Sequence, residues 1–167
     1  MRPREAPGMK PAFFVLLLLG LATASSARDT IGVYRRWGAF RDAAPPRCFA
    51  IAQPIAAGGH SGGFASVATW PGKGLRNSLS IRLSRTRDRS AGVTLTVGER
   101  RFDLVANSRD AFAPDLASDR ALVAALRSGR SMSIEGVADG GHPFADVYSL
   151  SGAATAIDAA ALACRGQ

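Results

Sequence analysis

The chain has 167 residues, 47% of them hydrophobic and 20% charged, with a net charge of +8. That length can bury one substantial core and excludes two. Cys48 and Cys164 stand alone, with no CxxC, and His60 and His142 lie at no ligand-like spacing from them, which excludes a zinc site.

Arg2, Arg4 and Lys10 precede an unbroken apolar run at residues 11–21, and small residues follow as far as Ala27. Charge, a short apolar core and a small-residue exit, in that order, predict a cleaved secretory signal peptide over residues 1–27. A spanning helix would need about 20 apolar residues, and this run is shorter. Cleavage fits after Ala24 or after Ala27, and Ala27 is preferred. No cysteine follows either site to carry a lipid anchor.

The mature chain, residues 28–167, then reads as one domain. Cleavage removes three basic residues (Arg2, Arg4, Lys10) and one acid (Glu5), so the net charge falls from +8 to +6. Lys73 is its only lysine; the other basic residues are arginines, whose planar forks suit phosphate and carboxylate. This charge fits either an anionic partner or an ordinary arginine-rich surface. In an oxidising compartment the two cysteines predict one disulfide, Cys48–Cys164. Closing so long a loop is worth roughly 4–5 kcal/mol in the chain-entropy account.

Strand signals fill residues 28–114. Residues 31–40 predict a first strand that carries Tyr34, Trp37 and Phe40. Pro45-Pro46 stops it, because proline lacks a donor and fixes φ. Residues 48–53 predict a second strand, 56–63 a glycine-rich flexible loop, and 64–70 a third strand with Phe64 and Trp70, ended by the Pro71-Gly72 turn. In residues 75–83, Leu75, Leu79, Ile81 and Leu83 alternate with Arg76, Ser78, Ser80 and Arg82, which puts the two sets on opposite faces. Residues 93–106 predict a hairpin turning at Gly98-Glu99. A helix is expected over about 118–128, capped by Ser118, with Asp119 near its positive end and Gly129 at its stop. Strands at 131–137 and 144–150 flank a turn at Asp139-Gly140-Gly141. Ser151 is expected to cap a last helix over 153–163. The fold class that follows is all-β with two appended short helices: an antiparallel β-sandwich or partly closed barrel.

Catalytic patterns are poor. His60-Ser61 sits in the glycine-rich loop, His142 lies near Asp146 in sequence, and there is no G-x-S-x-G elbow. The acids are scattered and no phosphate-binding loop of nucleotide enzymes occurs, so no enzyme and no cofactor is expected. The densest charge is Arg82, Arg85, Arg87 and Arg89, with Arg76 upstream. It reads as an anion-binding patch or as an edge strand blunted by charge. It lacks the interleaved aromatics of a single-strand nucleic-acid site.

Three segments together resemble the invasion-associated locus B family of exported bacterial proteins. They are Trp37 with Cys48-Phe49-Ala50-Ile51-Ala52-Gln53; the unit from Ser118 through Leu126-Arg127-Ser128-Gly129-Arg130 into Ser131-Met132-Ser133-Ile134; and Ser149-Leu150-Ser151-Gly152 before the helix that ends at Cys164. The resemblance implies an antiparallel β domain in the periplasm or attached to the outer membrane, without catalytic residues to carry over. The expected function is a non-enzymatic envelope protein binding an anionic envelope or host-surface partner; the alternative is a small-ligand or carbohydrate-binding β-sandwich.

Overall fold

The computed structural model describes residues 28–58 and 62–165. The expected signal segment and the pair His60-Ser61 lie outside the described residues. The chain runs β1 (Arg28–Tyr34), β2 (Trp37–Ala43), β3 (Pro46–Ala52), β4 (Ala56–Ala57), β5 (Phe64–Trp70), a 3-10 turn (Pro71–Lys73), β6 (Leu75–Arg82), β7 (Val93–Val97), β8 (Arg100–Ala106), β9 (Asp110–Phe112), α1 (Leu116–Ser128), β10 (Ser131–Val137), β11 (Pro143–Ser149) and α2 (Ala153–Ala163).

The strands are ordered β1-β2-β3-β5-β6-β9-β8-β7-β10-β11-β4, and the array is open, with β1 and β4 at its two ends. Every pairing is antiparallel. The array bends at β8. This strand pairs with β7 along Arg100–Leu104 but with β9 only at Val105 and Ala106. Two sheets therefore share one strand and enclose a common core, which is the expected sandwich-like class. Trp37, Leu79, Ile81, Leu95, Leu126, Ile134 and Ile157 are fully buried in that core. Both helices pack on the first sheet, α2 over β1–β3 and α1 over β6.

The period-two reading succeeds where each strand has one apolar face. In β7, Val93, Leu95 and Val97 are buried between half-exposed threonines. The 93–106 hairpin and α2 lie where the pattern predicts them. Corrections fall at turns and caps. The expected single strand over 31–40 is a hairpin. Tyr34 pairs with Trp37 across Arg35-Arg36, and Arg35 takes a positive φ of 58°. Apolar residues on both sides of an Arg-Arg turn imitate one continuous strand, and no Asn-Gly marks the reversal.

Pro46 opens β3 rather than only stopping β2, and the Ala44–Pro45 peptide is cis. The supposed loop at 56–63 contains β4, which pairs with β11. Ser118 is not the cap of α1. Asp115 accepts from the Ser118 backbone N–H at 2.8 Å and from its hydroxyl at 3.1 Å, so the helix starts at Leu116. A carboxylate beside the free N–H groups also complements the helix dipole. Gly152, not Ser151, caps α2, at φ 91° and without a side-chain bond. A Cβ there would fall on the Tyr34 carbonyl, so the β1–β2 turn docks on α2 only because this residue is glycine. Gly129 ends α1 in extended backbone, and its requirement is space beside Val97 and Leu150.

Candidate anion-binding cleft

The structure disperses the five arginines. Arg82 pairs with Asp110 at 2.5 Å. Arg85 donates Nε–H to the Gly58 carbonyl. Arg87 donates to the carbonyls of Asn107 and Ala106 at 2.9 Å, of Asp88 at 2.8 Å, and of Ala91. Arg89 is exposed, next to Arg87 and Asn107. Arg76 stands at the opposite end of β6 from Arg82, roughly 20 Å away at the rise of a strand.

Arg76 borders a different place. β6 meets β5 in register from Arg82 back to Ser78, where Ser78 faces Ala68; the register then shifts, and Leu75 faces Trp70. Arg76 and Asn77 together oppose Thr69, a β-bulge. Asn77 takes φ 49° and donates its N–H to the Thr69 hydroxyl at 3.2 Å. One extra residue exchanges the faces beyond it. Leu75 leaves the core set of Leu79 and Ile81 and is only half buried, which corrects the strict alternation, and Arg76 turns toward the helices.

On its other side β6 has a strand neighbour only at Ser80–Arg82, because β9 is three residues long. The first half of β6 is met by α1 instead. Asp119 of α1 is buried and accepts the Leu79 N–H at 2.9 Å, taking the place of the missing strand. Helix and strand do not close fully. They leave a cleft of about 430 Å³ bordered by Arg76, Asn77, Leu116, Arg120, Val123 and Arg127. A second cleft, of about 270 Å³, shares Gly74, Arg76 and Asn77 with it and is bordered by Trp70, Cys164 and Arg165.

Arg127 is bound to Asp158 of α2. Arg76, Arg120 and Arg165 are exposed and have no carboxylate partner among the described residues. Of this group the sequence reading named only Arg76. The spacing of Arg120 and Arg127, two helical turns apart on one face, was the available signal. Nothing local pointed to Arg165, which the Cys48–Cys164 disulfide brings to the second, smaller cleft.

A second group of cations lies on the outer face of the first sheet. The Arg47 guanidinium sits 4.5 Å from the Phe49 ring centre and 5.0 Å from that of Trp70. Arg28 covers Phe49 at 5.1 Å and Lys73 covers Trp70 at 4.8 Å. Asp42 binds both Arg28 and Arg47, at 2.8 and 2.7 Å. The Arg28 bond, with help from Arg47 and against partial desolvation, holds the Asp42 carboxyl below the usual carboxylate range. These rings are covered by the protein's own cations and fasten neighbouring strands. Of the aromatics on the first predicted strands, Trp37 is core, and its Nε1–H donates to the Ser149 carbonyl at 2.9 Å. Phe40, Phe64 and Trp70 are half-buried.

Asp146, the acid considered beside His142, is fully buried in β11. It accepts from the Ser84 N–H at 2.8 Å, the Ser84 hydroxyl at 2.5 Å and the Gly58 N–H at 3.2 Å. Its work is to join three chain segments, while His142 is exposed in the turn before β11. Neighbouring Tyr148 is buried, with no hydroxyl partner among the described residues. Burial, and then the Asp146 charge, pushes its ionisation upward, so the phenol stays protonated. Among the described residues no group of His, Cys, Asp and Glu is placed to hold a metal ion, and no helix is long and apolar enough to cross a membrane.

The family model described as invasion associated locus B (IalB) protein matches residues 39–161. The fold is similar to the crystal structure of invasion associated protein B from Bartonella henselae, with a TM-score of 0.60 and 20% identity. That likeness covers 83% of this chain and 99% of the other. No curated protein sequence matches the chain.

Proposed function

This chain belongs to the invasion-associated locus B family, and from that premise we propose that it is an exported, non-enzymatic cell-envelope protein that binds an anionic envelope or host-surface partner. Export rests on the charged, apolar and small-residue order of residues 1–27. The Cys48–Cys164 disulfide supports it, because such bridges persist in oxidising compartments such as the periplasm. The observation that carries the binding role is the set of exposed arginines left without carboxylates around the β6–α1 cleft. A surface that meets no anion gains little from leaving such forks open, and a phosphate or carboxylate partner uses them directly.

Two measurements test this reading. Fractionation of cells producing the full chain should place the shortened protein outside the cytosol, with its N-terminus at Ser25 or Arg28. The purified exported protein should bind immobilised heparin and elute as salt rises, since exposed charge pairs are screened. An uncleaved cytosolic protein overturns the export reading. Passage through the column at low salt overturns the anionic partner.

A further inference from the structure

Resting on that anionic-partner reading, we propose that the two clefts that meet at Arg76 form a binding site for a phosphate monoester, with Arg76 at the junction, Arg120 in the β6–α1 cleft and Arg165 in the smaller one. Three observations converge on this spot.

The first is charge. Arg127 is held by Asp158, and the one carboxylate in the lining, buried Asp119, accepts the Leu79 N–H on Oδ1. The guanidinium groups of Arg76, Arg120 and Arg165 remain, mounted on a strand, a helix and the segment after a helix. A phosphate monoester carries close to two negative charges and three acceptor oxygens. It can engage three forks at once, whereas one carboxylate is satisfied by a single fork.

The second is backbone geometry. Asn77, at φ 49°, lies where the two clefts meet. A non-glycine residue in that region persists where the surroundings over-determine it. Here the bulge and the Thr69 hydroxyl hold it, and the consequence is that Arg76 faces α1. The strain maintains the one arginine that borders both clefts.

The third is shape. At about 430 and 270 Å³ the adjoining clefts are of the size that takes a sugar-sized or headgroup-sized ligand. Trp70 and Pro71 supply an apolar wall beside the charged one.

The experiment uses the purified exported protein and follows tryptophan fluorescence. Trp70 borders the smaller cleft, which meets the other at Arg76, and Trp37 is fully buried, so a change on titration reports this site. Glucose 1-phosphate is one probe, with glucose as its control. Vesicles containing phosphatidic acid are the other, with phosphatidylcholine vesicles as control. Saturable binding of glucose 1-phosphate identifies a sugar phosphate; binding of phosphatidic acid alone identifies a lipid headgroup. Either supports the site provided that Arg76→Gln and Arg120→Gln each weaken it by about tenfold or more, the loss expected for one charge-assisted bond. Arg89→Gln should stay within about twofold, as an exposed charge outside the cleft. All three residues are exposed, and circular dichroism checks that the variants fold. Flat titrations with both probes, or binding indifferent to Arg76 and Arg120, overturn the site. Retention on heparin under those same conditions would leave the broader reading standing, and loss of that retention in unmodified protein would remove both.

Discussion

Arg87 and Arg76 are the same chemical group put to opposite uses. Arg87 lies in the irregular segment after β6, where the carbonyls of Asp88, Ala91, Ala106 and Asn107 accept its N–H groups. Arg76 stands in the bulge of β6 and Arg120 on α1. A helix or a paired strand satisfies most of its own carbonyls, so an arginine mounted there finds few acceptors and keeps its donors for something else. Irregular backbone absorbs a guanidinium. The difference teaches that the acceptors the fold brings to each arginine, rather than charge density along the chain, decide which arginines remain available. The densest run, Arg82 to Arg89, is largely used within the fold, and the sparser set is free.

The comparison can be broken or sharpened by substitution, beginning with the largest effect. Cys164→Ser releases the end of α2 from β3 and with it the wall that brings Arg165 to the cleft. The expected cost is about 2–5 kcal/mol and several degrees of Tm, measured by thermal unfolding. Ligand binding at the cleft should fall with it. The exported, unreduced protein should also resist alkylation at both cysteines, and labelling without reduction would remove the bridge.

Asp146→Ala leaves the buried Ser84 N–H, the half-buried Gly58 N–H and the Ser84 hydroxyl without their acceptor. About 3 kcal/mol of stability should be lost, readable as a shifted denaturant midpoint. Arg87→Ser tests the comparison itself. It should cost about 2 kcal/mol through the loop carbonyls it abandons, while Arg89→Ser should cost less than about 0.5 kcal/mol. Equal effects would mean that the loop is not held by Arg87.

Acid acts on the Arg28–Asp42–Arg47 group. The Asp42 carboxyl titrates below its unfolded value of about 3.9. Its contribution is therefore complete above that pH and is lost as pH falls through the lower folded value. The Tm difference between the unmodified protein and Asp42→Asn should be constant near neutrality and close below about pH 4. A gap that persists in strong acid would show that the Arg28–Asp42–Arg47 group does not depend on the carboxylate charge.

Much of this protein was determined by local pattern. The alternation of Val93, Leu95 and Val97 places the central hairpin because side chains in a strand change face at every residue. The alanine-rich segment at Ala153–Ala163 announces α2, and a lone pair of cysteines leaves one pairing, Cys48 with Cys164. Tertiary structure alone decided the reversal at Arg35-Arg36, the face of Arg76 and the fate of Arg87. A bulge in β6 exists only against β5, whose register defines where the extra residue falls. The acceptors for Arg87 come partly from Ala106 and Asn107, which the fold and not the local sequence brings near. The cleft has the same origin. β9 is short, α1 leans on Leu79 through Asp119, and a disulfide returns the end of the chain to the start of the sheet. Periodicity is written in neighbours along the chain, whereas register and convergence depend on which distant segments meet.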